Sequence, residues 1–340
     1  MIRINENKIF RKEFITINFL NQNAAKICKL ELVTKNHNLE NKITDQNLHR
    51  PGLALAGFVD LFSYKRIQVF GNTELKYLDN LSIENRKKSL ENIFQFEIPC
   101  IIVTNGNPIN NELLEAAEKN SVPIFRTEFT TTKLVYLLSD FLDDQFAPRI
   151  TLHGSFIDVY GIGILFMGSS GIGKSEVTLD LVERGHRLVA DDVIILTKKG
   201  EGILMGSGVE LSKHFMEIRG LGLINVAKMF GIRSIRYQKR LEVIVELEIW
   251  NDENDYTRTG LENKTLTIMD VEIPYVKLPI IPGKNITVIS EVIALNYLLK
   301  HYGYDSAKDF QERLNSRLNL KSEDDRAVNY FEHDFEWFKA

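Results

Sequence analysis

A glycine-rich segment in the middle of the chain constrains the fold more than any other feature. Its eight residues fit the pattern of a phosphate-binding loop: Gly168, Ser169, Ser170, Gly171, Ile172, Gly173, Lys174 and Ser175. An apolar run at 164–167 precedes the loop, and a helix-prone segment at 176–182 follows it. Glycines let backbone N–H groups turn inward around phosphate oxygens, and a helix start adds positive partial charge. The spacing therefore predicts a strand–loop–helix unit that binds nucleotide phosphates.

The last two residues of the loop carry the chemistry that such a site needs. Lys174 is expected to reach the outer phosphates, and the Ser175 hydroxyl is expected to contact a Mg²⁺ ion that bridges them. A glycine-rich turn with a solvated lysine is the alternative. The order of strand, loop and helix favours the binding site.

Two adjacent acidic residues follow the loop. Gly185 ends the predicted helix, and a short apolar strand then runs into Asp191 and Asp192. One carboxylate at such a strand end can face the metal ion, while its neighbour takes a proton from a nucleophile. Capping of backbone amides in a turn is the alternative role. The position after the loop favours catalysis, and the pattern leaves open which acid does which.

Four further residues are candidates on weaker patterns. Glu217 and Arg219 stand two residues apart before two glycines. Glu217 could contact Mg²⁺, and Arg219 could pair with a carboxylate or phosphate. A structural ion pair between the two is the alternative. His153 precedes the strand that leads into the loop, where spacing alone favours a structural histidine. Arg258 lies in a turn-rich stretch and is either a transition-state arginine or a surface charge.

The length and the segment order predict two α/β domains. A chain of 340 residues can bury two cores. Apolar strands alternate with helix-prone segments up to residue 144, among them predicted helices at 83–94 and 111–119, which favours a parallel sheet. A threonine-rich turn at 127–132 suggests the boundary, so residues 1–131 are expected to form an N-terminal α/β domain. Residues 132–340 are expected to form the phosphate-binding α/β domain, with a charged helical segment at its end.

Composition limits the environment and the partners. The net charge of −4 provides no basic field for nucleic acid. Apolar runs stop well short of the roughly 20 residues of a membrane span, and no secretory signal pattern opens the sequence. Cys28 and Cys100 stand in apolar segments and are predicted to be buried, reduced thiols. These features predict a cytoplasmic protein that binds neither membranes nor nucleic acid.

Seven segments of the chain resemble the bacterial HPr kinase/phosphorylase family. They are GSSGIGKSE from Gly168, RGHRLVADD from Arg184, EIRGLGLINV from Glu217, LHGSFIDVYGIG from Leu152, PIIPGKN from Pro279, HRPGLALAGF from His49 and RIQVFG from Arg66. Together they span nearly the whole chain, and the C-terminal segments are the more specific ones.

The resemblance implies an ATP-dependent protein-serine kinase domain after an N-terminal domain of unclear role. The substrate that the resemblance implies is HPr, the small phosphocarrier protein of sugar uptake. In the reverse reaction, inorganic phosphate removes the added phosphate and gives pyrophosphate. Pyrophosphate is also an alternative phosphoryl donor to ATP. Such an enzyme regulates carbon metabolism and assembles as a cytoplasmic homohexamer. The resemblance makes Asp192 the base that takes the serine proton, and it makes Ser175 and Glu217 the Mg²⁺ contacts. The matching catalytic positions are His153, Lys174, Asp192 and Arg258.

The chain departs from the family pattern in the loop tied to dephosphorylation. Two arginines usually stand where this sequence has Ile281 and Lys284. Arginine can grip phosphate through two parallel hydrogen bonds, whereas lysine is a point charge and isoleucine has no donor. Phosphorolysis is therefore expected to be weak relative to kinase activity. The alternative functions are a P-loop kinase for a small molecule and a nucleotide-sensing regulator that transfers no phosphate.

Overall fold

The structure is a computed structural model that describes residues 9–200, 202–250, 264–281 and 283–323. The chain divides into two compact units. The described part of the first unit is 9–150 with the short segment 197–200, and that of the second is 151–196 with 202–323.

The first unit contains a five-stranded sheet with helices on both faces. Its strands are β1 (Ile15–Thr16), β2 (Glu31–Leu32), β3 (Lys42–Ile43), β4 (Leu48–His49), β5 (Ile67–Phe70), β6 (Ile101–Val103) and β7 (Ile124–Arg126). Its helices are α1 (Ile17–Cys28), α2 (Gly52–Leu55), α3 (Asn72–Asp79), α4 (Ile83–Phe94), α5 (Asn111–Lys119) and α6 (Thr131–Phe146). Strands β4, β5, β6 and β7 pair in parallel, and β2 joins the β7 edge antiparallel, while β1 and β3 form a separate pair.

The parallel strands of this unit are rich in apolar residues because both faces of the sheet are covered. In β6, Ile101 and Val103 pack into a core with α3, α4 and α5, whereas Ile102 packs into a second core with α1 and α6. The predicted boundary at 131/132 falls at the first residue of α6. Leu134 and Leu138 of that helix pack in the core of the first unit, and the compact units divide at 150/151.

The second unit is built on an eight-stranded mixed sheet. Its strands are β8 (Arg149–Val159), β9 (Ile162–Met167), β10 (Arg187–Lys199), β11 (Ile203–Gly208), β12 (Phe215–Ile218), β13 (Gly222–Asn225), β14 (Gln238–Arg240), β15 (Val243–Ile249), β16 (Thr265–Ile268) and β17 (Val271–Ile280). Its helices are α7 (Lys174–Glu183), α8 (Val226–Phe230), α9 (Ile286–His301) and α10 (Ser306–Glu323). Strands β12 and β13 form a separate hairpin, and the large sheet has the order β14-β11-β10-β8-β9-β15-β17-β16.

Sheet topology gathers the chemistry-bearing segments at one edge. Strands β9, β15 and β17 are parallel neighbours, so the loop after Met167, the segment after Ile249 and the segment after Ile280 leave the sheet at the same edge. Ligands of open α/β sheets bind outside the carboxyl ends of such strands. Helices α7 and α9 bury their apolar sides with Phe166, Val245 and Leu278 on one face of this sheet.

The predicted architecture of an N-terminal α/β domain and a P-loop α/β domain is confirmed. The pattern-based helices at 83–94 and 111–119 have those bounds in α4 and α5. Both cysteines are buried, as expected. No helix among the described residues combines the length and the hydropathy required to cross a membrane.

Candidate functional site

The phosphate-binding loop joins a buried strand to an uncapped helix. Every residue of β9 is buried, which fixes the start of the loop at Gly168. Helix α7 begins at Lys174, and its N-cap is Gly173, which has no side chain to accept from the first turn. The first N–H groups of a helix have no partner within the helix. The sequence thus leaves these donors available to an anion at the carboxyl end of β9.

Lys174 folds back over the loop that precedes it. Its Nζ donates to the carbonyl oxygen of Gly168 at 3.1 Å and to that of Ser169 at 2.9 Å. These two bonds hold the ammonium group across the loop opening. The cation therefore lies over the loop, beside the uncapped start of α7.

Ser175 is bonded to the buried acid of the pair. Its Oγ lies 3.1 Å from Oδ1 and 3.0 Å from Oδ2 of Asp191, which is 4% exposed. Ser155 on β8 also donates to Asp191 Oδ1. Burial raises the pKa of Asp191, against hydrogen bonds from Ser155, Ser175 and the backbone N–H groups of Glu217 and Asp192, which lower it. The carboxyl group is held by donors on several sides.

Asp192 and His153 form an exposed pair beside this buried group. The side chains of His153 and Asp192 are 77% and 76% exposed, and Nδ1 of the histidine lies 3.6 Å from Oδ1 of the aspartate. Asp192 adopts a φ of 66°, the left-handed region that residues with a Cβ seldom occupy. Strained backbone of this kind is concentrated at functional sites. The structure therefore separates the adjacent acids, with one buried at the loop and the other facing solvent next to a histidine.

The hairpin of β12 and β13 covers the loop from another side. Arg219 lies in the turn of this hairpin, and its Nη2 donates to Ser170 Oγ at 3.3 Å. A Cβ added to Gly171 would lie 2.2 Å from Nη1 of Arg219, so the guanidinium occupies the space that this glycine leaves open. The Glu217 side chain is exposed, whereas the Glu217 backbone N–H donates to the carboxyl group of Asp191.

Of three further predicted positions, one falls outside the described residues and two lie directly after β17. Arg258 falls in 251–263, which the structure does not describe. Ile281 and Lys284 directly follow β17, and the Lys284 N–H donates to the carbonyl oxygen of Ile281 at 3.0 Å. Since β17 is parallel to β15 and β15 to β9, this turn leaves the sheet at the edge that carries the loop.

The donor atoms at the loop fit a magnesium ion better than a softer metal. Among the described residues, no three His, Cys, Asp or Glu side chains are arranged to hold a metal together. Ser175 and Asp191 supply hydroxyl and carboxylate oxygens beside the loop. Mg²⁺ prefers oxygen ligands and is commonly held by one or two protein groups together with substrate phosphates and water. The residues present match that mode of binding.

Sequence reasoning missed Ser155 and gave no specific role to Asp191. A serine inside the strand that precedes β9 carries no motif, and its contact with Asp191 spans 36 positions of the sequence. No local pattern separated Asp191 from Asp192, because Leu188, Val189 and Ala190 before them are all buried and do not alternate. The prediction ended that strand at the acids, whereas β10 continues to Lys199.

Strand β9, the loop and helix α7 place the chain among P-loop α/β proteins that handle nucleotide phosphates. The sequence profile of the HPr serine kinase N terminus matches residues 15–142, and the profile of the HPr serine kinase C-terminal domain matches residues 144–314. The chain therefore belongs to the HPr kinase/phosphorylase family.

Two relatives with that name agree with this assignment over nearly their full length. The HPr kinase/phosphorylase of Chloroherpeton thalassium is 54% identical over 97% of this chain and 99% of that protein. The protein of the same name from Prosthecochloris aestuarii is 49% identical over 97% of this chain and 99% of its own length. The solved structure of the HPr(Ser) kinase/phosphatase from Coxiella burnetii is 34% identical, with a TM-score of 0.42 over 48% of this chain and 98% of that one.

Proposed function

We propose that this chain transfers the terminal phosphate of ATP to a serine of the phosphocarrier protein HPr. In the reverse direction it transfers the phosphate from that serine to inorganic phosphate, which releases pyrophosphate. The names of the full-length relatives support this reaction pair. The observation that carries the proposal in the structure is the loop itself, where the uncapped start of α7, Lys174 and the Ser175–Asp191 pair lie together.

The forward step uses the residues of the loop to hold the donor in line with the acceptor. Backbone N–H groups at the start of α7 bind the outer phosphates, and Lys174 exchanges its two carbonyl contacts for phosphate oxygens. Mg²⁺, when bound at Ser175 and Asp191 and reached by Glu217, offsets phosphate charge. Arg258 is assigned the stabilisation of charge in the transition state by family resemblance. Positioning and electrostatic stabilisation supply most of the catalysis in such transfers.

Asp192 is the group that moves the proton. The serine hydroxyl gives its proton to the Asp192 carboxylate as its oxygen forms the bond to phosphorus and the bond to ADP breaks. In phosphorolysis the protonated Asp192 returns this proton to the leaving serine oxygen. Its exposure supports the role, because a base must meet an acceptor that arrives on another protein. His153, 3.6 Å away, orients the carboxylate from the solvent side.

The decisive experiment supplies ATP labelled at the terminal phosphate, Mg²⁺ and HPr, and then maps the labelled residue. Label on one HPr serine is expected. Label on a small molecule instead identifies a small-molecule kinase, and nucleotide binding without transfer identifies a sensor.

Lys174→Ala is expected to lower the rates of both the kinase reaction and phosphorolysis at least about 100-fold, since an electrostatic contact to the transferring group is lost. Survival of either activity near the wild-type level contradicts the assigned role of the loop.

The turn after β17 is proposed to limit the reverse reaction. Ile281 offers no donor and Lys284 offers a point charge at the edge of the sheet where inorganic phosphate has to bind. Ile281→Arg is expected to raise the phosphorolysis rate on phospho-HPr while the kinase rate stays close to wild type. A reverse rate that does not rise counts against this explanation.

Control of carbon metabolism and a hexameric assembly belong to the same proposed function. Light scattering on the purified chain measures the subunit number.

A further inference from the structure

Ser155 connects two strands of the sheet at the buried side of the phosphate-binding loop. It lies on β8, which stands between β9 and β10 in the sheet, and it is fully buried. Its Oγ is bonded to Oδ1 of Asp191 on β10, and its backbone pairs with Phe166 on β9. The serine therefore lies between the strand that leads into the loop and the strand that carries the buried acid.

The hydroxyl groups around Asp191 have only one arrangement that satisfies the ionised carboxylate. An ionised carboxylate accepts hydrogen bonds and donates none, whereas a hydroxyl has one proton and two lone pairs. Ser155 and Ser175 must both direct their protons at Asp191. The lone pairs of Ser175 then point away from Asp191. Because Ser175 stands in the first turn of α7, these lone pairs would be available to a cation held by phosphates at the start of that helix.

The orientation of the Asp191 carboxylate is not fixed by its own side chain. The last torsion of an aspartate is broad, with no sharply preferred angle. Donors therefore decide the carboxylate plane, and these are the hydroxyls of Ser155 and Ser175 and the backbone N–H groups of Asp192 and Glu217. Ser155 is the donor that approaches from the neighbouring strand of the rigid sheet, so it anchors the carboxylate independently of the loop.

We propose that Ser155 is a positioning residue for the metal–nucleotide complex. It holds Asp191 so that Asp191 directs the Ser175 hydroxyl, with its lone pairs presented to Mg²⁺. This inference rests on the proposed function for the identity of the ligand. Without the Ser155 hydroxyl, the carboxylate loses the donor that fixes it to the neighbouring strand of the sheet, and the Mg²⁺-dependent part of nucleotide affinity falls. The affinity for nucleotide without Mg²⁺ is retained, because the helix start and Lys174 are unchanged.

A matched control separates this role from simple stabilisation. Ser290 on α9 is also fully buried in the second unit, and its Oγ donates to the carbonyl oxygen of Ile286 at 2.8 Å. Ser290→Ala removes a buried hydroxyl of the same size from a helix rather than from the Asp191 contact. Both alanine variants are expected to lower the unfolding temperature slightly. Only Ser155→Ala is expected to change the response to Mg²⁺.

The test measures the dissociation constant of a non-hydrolysable ATP analogue by calorimetry, with and without Mg²⁺. Ser155→Ala is expected to reduce the gain in affinity that Mg²⁺ provides about fivefold, the factor of a single hydrogen bond. The Mg²⁺ concentration for half-maximal transfer to HPr should rise by a similar factor, with little change in the Mg²⁺-free constant. Ser290→Ala should leave all three values at the wild-type level.

The proposal is overturned if Mg²⁺ raises the nucleotide affinity of Ser155→Ala as much as that of the wild type. It is also overturned if Ser290→Ala loses an equal part of this increase. Ser155 then has a structural role. Ser155→Cys keeps the side-chain size with a weaker donor, and it replaces the alanine variant if that variant does not fold. A cysteine variant with wild-type Mg²⁺ gain overturns the proposal in the same way. If the wild-type chain transfers no phosphate to HPr, the proposed function fails, yet the calorimetric comparison still decides the role of Ser155.

Discussion

Gly171→Ala tests how closely the β12–β13 hairpin is coupled to nucleotide binding. Gly171 has a φ of 78°, and an added Cβ would lie 2.2 Å from Nη1, 2.6 Å from Cζ and 2.8 Å from Nη2 of Arg219. The left-handed backbone costs a residue with a Cβ roughly 1–2 kcal/mol. The contact requires Arg219 to move, because all three atoms belong to the end of its long side chain. That movement also breaks its 3.3 Å bond to Ser170.

Gly161→Ala is the matched control for this substitution. Gly161 lies between β8 and β9 with a φ of 86°, and no atom lies within 4 Å of the position of its Cβ. Both variants therefore carry the backbone cost of roughly 1–2 kcal/mol in the free energy of unfolding. For a unit of this size, that corresponds to a fall of about 2–8 °C in unfolding temperature. The variants differ in the displacement of Arg219 and in the place of Gly171 within the phosphate-binding loop.

Urea unfolding and calorimetry with an ATP analogue measure the two consequences separately. We expect similar losses of stability in both variants, and a loss of nucleotide affinity of about tenfold in Gly171→Ala alone. That factor corresponds to about 1.4 kcal/mol, near the lower value for a hydrogen bond to a charged group. Wild-type affinity in Gly171→Ala would refute the coupling of Arg219 to the bound nucleotide. Weakened affinity in Gly161→Ala would show that strain anywhere in the second unit has the same effect.

Three further substitutions or reactions follow from buried groups. Burial raises the pKa of Asp191, so the free energy of unfolding of the wild type should fall as pH rises through that pKa. Asp191→Asn should lack this pH dependence in urea unfolding, while transfer to HPr falls about 10- to 100-fold. Glu74 is buried, accepts from Arg50 at 2.8 Å and from the Gly71 N–H at 2.9 Å, so Glu74→Ala should cost about 2 kcal/mol in urea unfolding without changing affinity for ATP. Burial raises the pKa of the Cys28 and Cys100 thiols, so iodoacetamide at pH 8 should label neither in the native protein and both in denaturant, as mass spectrometry would show.

Local sequence patterns were sufficient where a segment's structure depends on its own residues. Helix α5 begins and ends as predicted because Asn110 caps its first turn and Leu113 and Ala117 recur on one face. The loop at 168–175 was predicted for the same reason, since the strand, the glycines and the helix are consecutive. The threonine-rich turn was predicted to mark the domain boundary, and in the structure Thr130 caps α6 by accepting from the Lys133 N–H. Helix caps and turns between domains share the same residue types.

The arrangement around Asp191 depends on the order of strands in space, which no local pattern contains. Ser155, Ser175 and Asp191 meet only because β8 lies between β9 and β10. Long-range order of this kind follows from the packing of the whole sheet, so a serine without a motif gave no signal. The predicted choice of Asp192 as base came from resemblance, and it stays a prediction.

The strand that runs through both acids explains how two identical side chains can take different parts in one reaction. Within β10 the adjacent carboxylates have different surroundings, since Asp191 is buried and Asp192 is exposed, and Asp192 has a left-handed φ of 66° instead of the extended backbone of a regular strand. Asp191 is enclosed with hydroxyl donors at the loop, where it can orient a ligand of the nucleotide but cannot reach an acceptor protein. Asp192 is exposed beside His153, where an incoming serine can meet it.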